Sequence, residues 1–179
     1  MNPIFSTIQT MFPVTLTAAL LIILMAGCDD PVTPGFQETD FSTVPDPIDY
    51  SEGERFEVEN GLIYYIVEEG EGQFRVTGRD VVRFFVTLRS YETGEIIQST
   101  YANGRETADQ SQVAGLNTTG FQMGISDQDE YDIKGMKEGE IRVLIVPPHL
   151  GFEGEGEGSR FYDWRNDRLI YEVELVEIL

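Results

Sequence analysis

The residues with reactive chemistry in this chain are few, and their spacing excludes most catalytic classes. His149 is the only histidine and Cys28 the only cysteine among 179 residues. A lone imidazole cannot complete the donor set that holds zinc, and a lone thiol can close neither an internal disulfide nor a CxxC site. No GxSxG or comparable nucleophile turn is present. Asp127, Asp129, Asp132 and Glu138 echo a calcium-binding EF-hand loop in three places. However, Tyr131 and Asp132 stand where a ligand and the obligatory glycine belong, so the plainer reading is a solvated, acidic helix N-terminus, and no metal is expected. The run EGEGEG from Glu153 to Gly158 would repel phosphate with its own carboxylates and reads as part of a mobile flap. Carboxylate pairs are too common in so acidic a chain to single out a glycosidase pair.

Charge narrows the partners. The count of 32 acidic against 12 basic residues gives a net charge of −20, all of it carried after Gly27. The charge itself reads most plainly as solubility. Phosphate-rich nucleic acid would be repelled, and so would an anionic lipid surface, which makes a covalent anchor the more necessary for membrane attachment. The N-terminus offers the means. Val14 to Gly27 is a mostly apolar run ending Met25-Ala-Gly-Cys28. It is too short to span a hydrocarbon core of about 30 Å, which takes roughly 20 residues. Residues 1–27 therefore read as a secretion signal, and the small-small-Cys ending resembles a bacterial lipobox that would leave Cys28 as the lipidated first residue. This implies a lipid-anchored protein of the bacterial cell envelope, its domain facing the periplasm.

Residues 28–55 carry Pro31, Pro34, Pro45 and Pro47 among Asp, Thr, Ser and Glu without helical or strand periodicity. They read as a disordered, acidic, proline-rich tether; the alternative is an irregular arm lying on the domain. Residues 56–179 make one domain of ordinary size, expected to act as a monomer.

Within it, the stretch that organises the rest is Gly135 to Phe152, GMKEGEIRVLIVPPHLGF. A glycine-flanked turn leads into alternating β-branched residues, and Pro147-Pro148 ends the pairing because neither residue can donate to a ladder. Alternation also predicts strands over Phe56–Val58, Leu62–Val67, Asp80–Leu88, Glu95–Ser99 and Leu169–Leu179, with Asn60-Gly61 and Glu92–Gly94 as turns. Val82, Phe84, Val86 and Leu88 share one face of the clearest of these. Phe121–Gly124 reads as a brief strand and 100–120 as a surface loop. Ser126–Gly135, with a capping serine and carboxylates in its first turn, is the helix candidate. The class is α+β, an antiparallel sheet folded over one helix.

The ordered run GLIYYIVEEGEG (Gly61–Gly72), DVVRFFVTL (Asp80–Leu88), TGEIIQST (Thr93–Thr100), FQMG (Phe121–Gly124), GMKEGEIRVLIVPPHLGF and LIYEVELVEIL (Leu169–Leu179) resembles an FKBP-type peptidyl-prolyl cis-trans isomerase. The resemblance implies a five- or six-stranded antiparallel sheet wrapped around a short helix, with an aromatic hollow between them that takes the proline ring of a polypeptide substrate. It implies no cofactor. Phe84, Ile97, Gln98, Phe152 and Tyr171 correspond to the family's catalytic pocket residues, and Phe121, Ile125, Tyr131 and Trp164 are the candidates for further substrate contacts. Five positions depart from the family pattern: Phe84 and Phe152 stand for tyrosines and lack the hydroxyl, Ile97 and Tyr171 stand for phenylalanines, and Gln98 replaces a carboxylate. The segment that should read Val-Ile-x-Gly-Trp is matched only at Ile125, and the floor tryptophan has no counterpart in that register. A weakened isomerase is expected, with a non-catalytic binding or chaperone module for proline-bearing or apolar segments as the alternative. Plain core packing would by itself make Phe84, Ile97 and Phe121 apolar, and an edge position would explain Gln98.

Overall fold

The alternation expected along Asp80–Leu88 forms one of the two longest strands of the sheet. The computed structural model describes residues 38–179; the signal segment, Cys28 and the first part of the tether lie outside the described residues. Among those described, seven strands form one antiparallel sheet: β1 (Glu54–Glu57), β2 (Ile63–Glu68), β3 (Val81–Ser90), β4 (Ile96–Ser99), β5 (Asp109–Gln112), β6 (Ile141–Val146) and β7 (Leu169–Ile178). The order is β1-β2-β6-β7-β3-β4, with β5 also paired to β3. The two longest strands pair along their whole length, from Val82 opposite Ile178 to Ser90 opposite Leu169. Because side chains alternate across a strand, Val82, Phe84, Val86 and Leu88 of β3 and Leu169, Tyr171, Val173 and Leu175 of β7 are all buried together in the core.

One helix, α1 (Thr119–Ile125), lies over that inner face. Thr118 caps it, its Oγ1 accepting the Phe121 N–H at 3.1 Å. The expected strand over Phe121–Gly124 and the expected helix over Ser126–Gly135 are both corrected here. Gly120 and Gly124 cost a helix about 1 kcal/mol each and hid the helical signal, but packing requires them. A Cβ on Gly120 would lie 2.3 Å from Val146 Cγ1, and one on Gly124 2.6 Å from Leu144 Cδ1. Ser126, read as a cap, instead follows the helix and returns its hydroxyl to the Gln122 carbonyl at 2.6 Å. Beyond it come a single 3-10 turn (Asp129–Tyr131), a left-handed Asp132 at φ 52 and a Gln128–Ile133 bridge. Asp127 also works against helix, its carboxylate accepting the Gly135 N–H at 2.7 Å.

Arg142, the second residue of β6, is fully buried beneath the end of α1. Its Nε and Nη2 donate to Glu140 Oε1. Its Nη1 donates to the Gly124 carbonyl at 2.7 Å and the Lys134 carbonyl at 3.0 Å. The Tyr64 ring faces the guanidinium at 4.8 Å.

On the outer face, the last part of the expected tether is an arm on the domain. The Thr43 hydroxyl donates to the Tyr101 carbonyl at 2.8 Å, and the Ile48 N–H to Glu172 Oε1 at 2.7 Å. Arg89, itself paired with Glu172 at 3.1 Å, donates to the Pro45 carbonyl. A free tether is therefore not what residues 39–50 form. The loop reading of 100–120 is likewise corrected, since it contains β5.

Two substitutions test this packing by urea denaturation. Gly120→Ala should destabilise by about 1–3 kcal/mol through overpacking on Val146. Glu140→Gln keeps the shape but leaves the Arg142 charge uncompensated and should cost about 3–5 kcal/mol.

Candidate functional site

A hollow of about 220 Å³ opens where the inner face of the sheet meets the start of α1. Phe84 on β3, Phe121 on α1 and Tyr171 on β7 line it. The three rings form one cluster. Phe121 stacks on Tyr171 with centroids 4.6 Å apart and meets Phe84 edge-on at 5.7 Å. Val86, Leu88 and Leu116 add aliphatic walls. Strand alternation places Phe84 and Tyr171, and the helix cap places Phe121. The hollow is smaller than the roughly 300–1,000 Å³ of a drug-sized site, which suits one small ring.

The floor is apolar except for one chain of hydrogen bonds. The Phe121 N–H donates to Thr118 Oγ1 at 3.1 Å, Thr118 Oγ1 and Tyr171 Oη lie 3.0 Å apart, and the Tyr171 hydroxyl donates to Asn117 Oδ1 at 3.1 Å. A hydroxyl has one proton to give, so Tyr171, giving its own to Asn117, accepts from Thr118. Burial holds the Tyr171 phenol well above its ordinary pKa, against the lowering effect of Thr118 and Asn117.

Four expected residues meet here: Phe84, Gln98, Phe121 and Tyr171. The other five do not line the hollow. Ile97 is half-buried against the core from β4. Phe152 is buried and turned inward, stacked on Phe161 at 4.2 Å and nearly parallel. Trp164, on a short 3-10 turn, packs against the core edge. Ile125 is core at the end of α1. Tyr131 lines a separate shallow groove with Val58 and Asp132. His149 bonds the Asn60 carbonyl in the β1–β2 turn through Nε2 at 2.9 Å.

Sequence reasoning missed Asn117, Thr118 and Arg160. A signal for the first two existed. The spacing Val-Ile-x-Gly-Trp fits Asn117-Thr118-Thr119-Gly120-Phe121 with no gap, and Phe121 then stands in the tryptophan's place. The register anchored on Ile125 lies too late in the chain. Arg160, in the long connection before β7, carried no signal.

Residues 72–176 match the FKBP-type peptidyl-prolyl cis-trans isomerase family, and the chain belongs to that family. It is 34% identical over 120 residues to the chloroplastic peptidyl-prolyl cis-trans isomerase FKBP20-2 of Arabidopsis thaliana, covering 67% of this chain and 44% of that protein. It is 35% identical over 99 residues to FK506-binding protein 2 of Kluyveromyces lactis, covering 55% of this chain and 63% of the yeast one. The chain thus spans less than two thirds of either relative. The crystal structure of AtFKBP13 shares the fold, with a TM-score of 0.59 at 22% identity over 70% of this chain and 99% of that one.

The hydroxyl chain on the floor predicts a distinctive alkaline behaviour. Because its folded-state pKa is raised, Tyr171 contributes stability that is present below the unfolded phenol value of about 10 and is lost as pH rises past it. Tyr50, Tyr64 and Tyr101 are shifted the same way by burial. Tyr171→Phe should cost about 1–2 kcal/mol at neutral pH by stranding Asn117 and Thr118. It should also make the fall above pH 10 shallower, as followed by chemical denaturation at a series of pH values.

Proposed function

We propose that this chain is a peptidyl-prolyl cis-trans isomerase, a folding helper for proline-containing polypeptides, held by a lipid on Cys28 in the bacterial cell envelope with its domain in the periplasm. The observation that carries the catalytic part is the ring-lined hollow of Phe84, Phe121 and Tyr171. Rotation about an X-Pro bond crosses a barrier of about 18–20 kcal/mol without breaking a bond or moving a proton. The twisted amide has lost resonance and part of its dipole. A dry aromatic wall therefore disfavours the planar ground state more than the twisted one. Such a site needs rings and a few donors, and the absence of nucleophile and acid–base motifs from the sequence agrees with that.

The activity is expected to be weaker than that of relatives with the full pocket. Phe84 and Phe152 lack the hydroxyls that the family resemblance places there, and each lost hydrogen bond is worth roughly 1 kcal/mol. The inward turn of Phe152 onto Phe161 favours a second reading, a module that binds proline-bearing segments without turning them over. The lipid anchor rests on the Met25–Cys28 ending and on a charge that would otherwise repel anionic lipid.

A protease-coupled assay on a short X-Pro peptide separates the two readings. Acceleration by the purified chain supports isomerisation; none at high protein concentration, with peptide binding retained, leaves the binding module. Ser111→Trp fills the hollow from β5 and should lower any acceleration at least about tenfold, equal to a loss of about 1.4 kcal/mol in transition-state stabilisation, with an unchanged circular dichroism spectrum. Mass spectrometry of the mature N-terminus should find diacylglyceryl on Cys28; an unmodified thiol there would remove the anchor from the proposal.

A further inference from the structure

The mouth of the hollow holds a cation with no counter-charge. Arg160 lines it together with Gln98, and its Nη2 donates to Gln98 Oε1 at 3.3 Å. The guanidinium is fixed from behind by a stack: it lies over the Phe161 ring at 4.5 Å, and Phe161 lies flat on the buried Phe152 at 4.2 Å. In a chain of net charge −20, most arginines have found a carboxylate. Arg89 pairs with Glu172, Arg105 with Asp109 and Arg168 with Glu92. Among the described residues Arg160 pairs with none, its side-chain hydrogen bond going to a neutral amide. Asp109, the one carboxylate lining the hollow, is held by Arg105 at 2.5 Å. A carboxylate at position 98 would neutralise Arg160 from the neighbouring strand; glutamine leaves its charge unspent.

We propose that Arg160 is a specificity-determining residue that selects polypeptides carrying an acidic side chain next to the proline. This rests on the isomerase reading of the same hollow. With the prolyl ring among Phe84, Phe121 and Tyr171, a flanking residue sits at the mouth, where the planar fork of a guanidinium matches the two oxygens of a carboxylate. The stack on Phe161 reduces the side-chain freedom lost on pairing, so the exposed guanidinium is held ready for a carboxylate.

The test compares peptides with Glu, Ala or Lys placed before or after the proline, at physiological salt so that the distant negative charge of the domain is screened beyond about 8 Å. The readout is the ratio of kcat/KM for Glu over Lys peptides. Relative to the unaltered chain, Arg160→Gln and Gln98→Asp should each lower that ratio roughly three- to tenfold, and Arg160→Glu should lower it further. Melting temperatures identify any variant that has lost its fold. An unchanged ratio in all three variants overturns the assignment while leaving isomerisation in place. If no peptide is turned over, the isomerase reading falls and the same ratio is read from dissociation constants. There, a Glu preference lost in Arg160→Glu supports the assignment, and equal affinities or no binding at all overturn it.

Discussion

The buried guanidinium of Arg142 is the interaction on which the arrangement of sheet and helix depends. Removing a charge from water is costly unless it is paired and its remaining donors are satisfied. Here every direction is answered: Glu140 two residues earlier on the chain, the Gly124 carbonyl at the end of α1, the Lys134 carbonyl in the connection after it, and the face of Tyr64. The Gly124 carbonyl belongs to the group that a helix end leaves without an internal partner. One side chain therefore anchors the end of the helix, the connection after it and strand β6. Burial lowers the guanidinium's pKa from its ordinary value and Glu140 opposes the shift, so the pair stands or falls together.

With the helix end fixed by Arg142 and its body brought close by Gly120 and Gly124, the helix start has little freedom. That start carries Phe121, and its capping residue Thr118 is the donor to Tyr171. The hollow is thus a by-product of how tightly the helix is seated: the rings meet because backbone, not side chain, contacts the sheet at Gly120. The hydroxyl chain through Tyr171 fixes the floor in the same manner, since each of its members has a single satisfied arrangement.

How much of this the sequence disclosed follows from the kind of signal each element leaves. β3 and β7 alternate cleanly because one face is core, so Val82, Phe84, Val86, Leu88, Tyr171 and Val173 were placed correctly from pattern alone. The helix was missed for a physical reason: seven residues with two glycines have poor propensity, and the contact that repays them is with residues some twenty positions later in the chain. The acidic run after Ser126 imitated a helix start, yet its Asp127 carboxylate accepts the Gly135 N–H across its own loop. For the hollow, residues on regular strands were legible. Phe152 was not, because its inward turn depends on Phe161, which lies in an irregular connection without periodicity. Arg160 was invisible for the same reason. The proline-rich arm illustrates the opposite error: composition spoke for a solvated chain, while Glu172 and Arg89, distant in sequence, supplied the partners for its backbone.

The sheet that separates hollow from arm is a single layer, and neighbours on β3 serve opposite sides of it: Phe84 lines the hollow while Phe85 lines the groove where Pro45 and Ile48 lie. Traction on the arm is therefore not dissipated in a loop. It reaches Arg89 and Glu172, which sit on the same two strands as Phe84 and Tyr171. A pull between the N-terminal arm and a gripped polypeptide would thus pass through the strands that shape the binding surface.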